Sequence, residues 1–146
     1  MEGSSPARLY AVLVGGTLVV IGIIGFFINA SFDVGNSVQA ENLVGVSING
    51  WENVIHIVTG GLGLLLAGTR AREYALGLGA VYLLVAFLGF IDFGSGDTTD
   101  TILKLIPVNT EANLVHLVLG VVGVAAGLAT PKQGARTATP PPRATA

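Results

Sequence analysis

Cysteine is absent from the 146 residues, and methionine and tryptophan occur once each. The first absence removes disulfide staples, thiolate metal sites and cysteine nucleophiles together. Charge is also scarce: Asp, Glu, Lys and Arg make up 11% of the chain, where a soluble domain carries roughly a quarter. Seven basic against nine acidic residues leave a net charge of −2, so no basic surface is available for nucleic acid. What the chain has in excess is apolar: 51% hydrophobic residues and 21 glycines, with a mean hydropathy of +0.73. This composition disfavours a soluble enzyme, a nucleic-acid binder and a disulfide-stapled secreted domain. It implies an integral membrane protein whose first partner is the lipid bilayer.

A bilayer core of ~30 Å needs about 20 apolar residues in a helix. Four segments meet that need: 9–28, 50–69, 74–91 and 112–130. The fold class expected is all-α, a four-transmembrane-helix bundle over residues 1–130. The Pro-, Thr- and Ala-rich stretch 131–146 is expected to be a disordered cytoplasmic tail. The first span is read as a retained helix, because Ile28-Asn29-Ala30 is a poor small-x-small cleavage site. Arg8, Arg70, Arg72, Lys132, Arg136 and Arg143 share one side of this arrangement and Lys104 alone lies on the other. Six of the seven basic residues are thus inside if both termini are cytoplasmic. Apolar pieces of the two outer loops, Leu43 to Ile48 and Ile102 to Ile106, lie at the membrane surface or cover the outer mouth.

Within the second and fourth spans one pattern occurs twice. Asn49, Asn53, His56, Gly60 and Gly63 are matched by Asn109, Asn113, His116, Gly120 and Gly123 at an offset of 60. The first and third spans match more weakly at an offset of 64, pairing Tyr10 with Tyr74, Gly15 with Gly79, and Gly25-Phe26 with Gly89-Phe90. A tandem-duplicated helical hairpin follows, with the two copies parallel and related by a pseudo-two-fold axis along the membrane normal. The cores Asn53-Val-Ile-His56 with Gly60, and Pro107-Val-Asn109 through Asn113-Leu-Val-His116 with Gly120, resemble the bacterial four-span membrane proteins grouped as domain of unknown function 4383. Ala112 stands where members of that family often carry an acid beside the second Asn. The resemblance implies a multi-pass protein of the bacterial cytoplasmic membrane and brings no biochemical activity with it.

Spacings of four, three, four and three place the repeated residues on one inward stripe of each helix. Gly60, Gly63, Gly120 and Gly123 are read as helix-packing positions that let helices two and four, or their neighbours, approach closely. Asn49 and Asn109 stand where N-caps are needed, with Thr110 competing in helix four, and Glu52 is placed to complete a capping box. Trp51, Tyr10 and Tyr74 are read as interfacial anchors. His56 and His116 lie roughly 10 Å further down their helices, and an ionisable group inside a span is a functional candidate. The reading adopted is a buried polar clasp of Asn49, Asn53, His56, Asn109, Asn113 and His116, in a structural or accessory protein that acts with itself or with a larger complex. The alternative is a redox or sensing protein with haem as cofactor between His56 and His116. A third is a proton- or ion-handling subunit in which Glu52 joins the histidines. No metal site is expected from two histidines without a paired carboxylate. No enzyme is expected either, since the spans offer no nucleophile held by a base and an orienting group.

Overall fold

Ser5 and Pro6 open the first helix three residues before the apolar run begins. The Ser5 hydroxyl accepts from the Arg8 N–H, and Pro6 occupies the first turn, where its missing N–H costs nothing. The computed structural model describes residues 4–92 and 100–132. The expected tail from 133 onward and the outer-loop segment 93–99 lie outside the described residues. Four helices result: α1 (Pro6–Ile28), α2 (Gly50–Leu66), α3 (Ala71–Asp92) and α4 (Thr110–Ala129). Among the described residues, three of them, α1, α3 and α4, are long and apolar enough to cross a membrane. The chain is therefore a membrane protein by its helices as well as by its composition.

The limits of the helices differ from the apolar runs for local reasons. α2 stops at Leu66 instead of Thr69 and has 17 residues, because the Thr69 and Arg70 N–H groups both turn back to the Leu66 carbonyl. α3 then starts three residues earlier than its uncharged run. α4 starts at Thr110 because Asn109, and not Thr110, caps it.

Two short antiparallel hairpins, which helical periodicity does not assign, connect the helices on the side opposite the 67–70 turn. β1 (Glu41–Leu43) pairs with β2 (Val46–Ile48), and β3 (Asp100–Ile102) with β4 (Ile106–Val108). Ile48 and Val108 are completely covered, so the apolar pieces of the outer loops close over the helix ends. In the first hairpin the two turn residues, Val44 and Gly45, both have positive φ, 52° and 86°. That is the conformation of a two-residue type I′ turn, which suits Asn-Gly and strains a β-branched residue. Val44→Asn, at a 95% exposed position, is expected to raise stability by about 1 kcal/mol, measured as a higher midpoint in detergent unfolding.

The helices pack chiefly as pairs, α1 with α2 and α3 with α4, while α1 also touches α3 and α4. Each pair closes on glycine. A Cβ on Gly60 would stand 2.5 Å from the Gly15 carbonyl oxygen, and one on Gly79 would stand 2.7 Å from the Val124 nitrogen and 3.0 Å from the Gly120 carbonyl oxygen. The glycine stripes of α2 and α4 thus serve their neighbours α1 and α3, not an approach of α2 to α4.

Tyr10 and Tyr74 are not interfacial anchors. They are 4% and 8% exposed and sit in the core with ring centroids 6.4 Å apart. The Tyr10 hydroxyl donates to the Leu119 carbonyl of α4 at 3.0 Å, and the Tyr74 hydroxyl to the Thr59 carbonyl of α2 at 3.1 Å. Each ring lies over a glycine of the helix it reaches, Gly123 under Tyr10 and Gly63 under Tyr74. At the end that carries the 67–70 turn, Thr130 accepts from the Ala7 N–H and donates to the Ala126 carbonyl, while Arg72 Nε donates to the Thr130 carbonyl. One residue there joins the ends of α1, α3 and α4.

Candidate functional site

The site begins at the first turns of α2 and α4, whose open N–H groups need acceptors. Asn49 Oδ1 accepts from the Glu52 N–H and Asn109 Oδ1 from the Ala112 N–H, each at 3.0 Å. With the oxygens committed to capping, the amide nitrogens point outward. Asn49 Nδ2 donates to the Leu105 carbonyl at 2.7 Å, and Asn109 Nδ2 to the Gly45 carbonyl at 2.6 Å. Leu105 lies in the β3–β4 turn and Gly45 in the β1–β2 turn. Each asparagine therefore caps its own helix and holds the hairpin of the other half of the chain. Glu52 does not complete a capping box. Its Oε1 lies 3.8 Å from His56 Nε2, one turn along, and its Oε2 is buried without a partner.

One turn below the caps, Asn53 and Asn113 are almost wholly buried. Asn53 Nδ2 donates to the Asn29 carbonyl at 2.8 Å, bridging α2 to the end of α1. A side chain on Gly25 would overlap the Asn53 amide, and one on Gly89 the Asn113 amide. The 25/89 glycine match of the sequence is thus the counter-surface of the 53/113 asparagine match.

His56 and His116 follow, each 8% exposed and each with Nδ1 buried and unpartnered. The clasp expected from the sequence is made only in part. Asn49, Asn53 and Asn109 bond through their amide nitrogens, whereas Asn53 Oδ1, Asn113 Oδ1 and Nδ1 of both imidazoles are buried without a partner. The His116 ring stacks on Tyr82, with centroids 5.1 Å apart and planes 21° apart. Both histidines, Glu52 and Tyr82 line one cavity of about 560 Å³. The rest of its wall is almost entirely apolar, supplied by α1, the first hairpin and α4, and no Lys or Arg contributes. Its size and its few polar groups in an apolar lining are those of a small-molecule site. Among the described residues no group of three or more His, Asp or Glu gathers as a metal cluster.

Trp51 packs edge-on against Phe32, with centroids 5.1 Å apart, and its Nε1 is buried without a partner. Sequence reasoning missed Tyr82 and the lining residues of the first hairpin, because nothing in the repeated pattern includes them. It also missed Gly15, Gly25, Gly79 and Gly89 as partners of the polar stripe. Their only signal was the weaker match at an offset of 64.

The family described as "Domain of unknown function (DUF4383)" matches residues 8–129. No curated protein and no solved structure matches the chain.

Proposed function

The chain belongs to the domain of unknown function 4383 family, and from that footing we propose that it is a non-enzymatic membrane scaffold, a structural or accessory protein made of one helical hairpin used twice. The observation that carries this reading is the reciprocal exchange between halves. Asn49 and Tyr74 hold one half to the other, and Asn109 and Tyr10 make the equivalent bonds in return, each at an offset of 60 or 64. Two parallel copies joined by such an exchange form a four-helix bundle with a pseudo-two-fold axis passing near the Tyr10–Tyr74 contact.

In this reading α2 is the fourth span. Seventeen residues rise about 26 Å, at the lower limit for crossing. Its antiparallel course along α1, from Asn53 at Gly25 to Gly60 at Gly15, supports a crossing of similar depth. The distribution of basic residues supports an orientation with both termini inside, and the family resemblance implies a bacterial cytoplasmic membrane. The exposed apolar faces of all four helices are available to lipid, to further copies or to a larger complex.

The cysteine-free chain makes the arrangement testable with single cysteines and a membrane-impermeant maleimide. Asn42→Cys and Lys104→Cys are expected to react in intact cells. Ser5→Cys and Thr69→Cys are expected to react only after permeabilisation. Labelling of Thr69→Cys in intact cells together with Asn42→Cys would remove α2 as a span and overturn the duplicated-hairpin reading.

A further inference from the structure

We propose that the cavity binds a lipid-soluble molecule with a flat ring head, an oxygen on each of two opposite edges and an apolar tail: the quinone–quinol class. Three observations meet there. The first is unsatisfied polarity. Glu52, His56 and His116 are 3%, 8% and 8% exposed, and each has a buried polar atom without a hydrogen-bond partner. Leaving such groups unpaired in an apolar setting is costly, so an occupant able to bond to them gains affinity there.

The second is the placement of that polarity. It stands at two stations, Glu52 with His56 on α2 and His116 on α4, in a wall otherwise apolar. A ring with oxygens on opposite edges offers a hydrogen-bonding atom to each station. The stacked Tyr82–His116 pair adds aromatic surface suited to a flat ring. A neutral imidazole presents one donor and one acceptor nitrogen, and a carboxyl group can accept or, when protonated, donate. The same three side chains can therefore meet the carbonyls of a quinone or the hydroxyls of a quinol.

The third is access. Leu13, Ile24 and Val115 line the cavity and are also exposed on the outer faces of α1 and α4. The chamber thus opens sideways toward lipid, through an apolar mouth that suits a tail. It takes both members of three matched pairs, Leu18 with Tyr82, Glu52 with Ala112, and His56 with His116. It therefore lies between the halves. Where the halves differ, at Tyr82 and Glu52, it becomes one-sided, so that one orientation of the head is favoured.

The test uses the full chain in phosphatidylcholine nanodiscs free of quinone, titrated with decyl-ubiquinone and separately with decyl-ubiquinol. Uptake is measured against empty discs, after a visible spectrum of the purified protein. Saturable uptake above empty discs is expected for both probes. His116→Ala and Glu52→Leu are expected to bind roughly tenfold more weakly, as for loss of a hydrogen bond to a buried group. Thr17→Trp, at an exposed position in the mouth, is expected to remove the saturable part, and Leu65→Trp on another exposed face to leave it unchanged. Because Thr17 is exposed, that variant decides the matter even if the buried substitutions fail to fold. Uptake equal to empty discs, or Thr17→Trp binding like the unaltered protein, overturns the proposal. So does a haem Soret band lost in His56→Ala or His116→Ala, which would make haem the occupant. Failure of quinone uptake leaves the scaffold reading standing, since that reading rests on asparagine and tyrosine exchanges and not on an occupant. A Soret band lost in the histidine variants would instead favour the haem alternative to it.

Discussion

Asn49→Ala is expected to lower the unfolding free energy by about 2–4 kcal/mol, and Asn109→Ala by less, about 1–2 kcal/mol, because the Gly45 carbonyl it holds is exposed to water. Two losses combine in each case. Removing the side-chain oxygen uncaps the helix, which costs about 1 kcal/mol. Removing the amide nitrogen leaves the Leu105 or Gly45 carbonyl without its donor, for about 1–3 kcal/mol where water cannot replace it. Asn→Asp separates the two, because it keeps the capping oxygen and loses the N–H donor. The check is a denaturant or thermal titration of the purified protein in detergent, followed by circular dichroism. If Asn49→Asp matched the unaltered protein, the bond to the other half would contribute nothing and the reciprocal lock would be wrong. The double substitution reports on cooperation, since each asparagine holds the hairpin that adjoins the other.

Gly60→Ala and Gly61→Ala are expected to act in opposite directions although the residues are neighbours. A Cβ on Gly60 meets the Gly15 carbonyl oxygen at 2.5 Å, the Val19 nitrogen at 2.8 Å and Leu18 Cβ at 2.9 Å. Most of that is backbone and cannot swing aside, so α1 and α2 must separate, at about 1–3 kcal/mol. A Cβ on Gly61 meets nothing within 4 Å. There alanine costs no contact and removes glycine's conformational freedom from a helix interior, a gain of up to about 1 kcal/mol. The expected gap between the two variants is therefore about 2–3 kcal/mol, read from their unfolding midpoints. Equal midpoints would mean that α1 and α2 are not in the close contact described.

The repeated stripe of α2 and α4 was legible in the sequence because a helix periodicity of 3.6 sorts residues by face without any tertiary knowledge. Asn49 and Asn109 were legible as caps for the same reason, since capping is settled within four residues. Tyr10 and Tyr74 were misread because aromatic residues near span ends ordinarily sit at the interface. What moved them inward was the bare surface of Gly123 and Gly63 on distant helices, which no local pattern displays. The hairpins escaped because three-residue strands are too short for a period-2 signal. The histidines were found as a pair, but not as part of a cavity that also needs Tyr82 and the first hairpin.

Composition and local order alone therefore determined that this chain is a membrane protein of four helices, that Asn49 and Asn109 cap α2 and α4, and which stripe of α2 and α4 is buried. These are short-range matters of apolar run length, capping chemistry and periodicity. Only the tertiary structure decided what each stripe meets: α1 against α2, α3 against α4, amides and phenols exchanged between halves, and an unsatisfied chamber left between them. Periodicity states that a face is hidden and is silent about the surface that hides it, because that surface is fixed by steric fit between residues far apart in the chain.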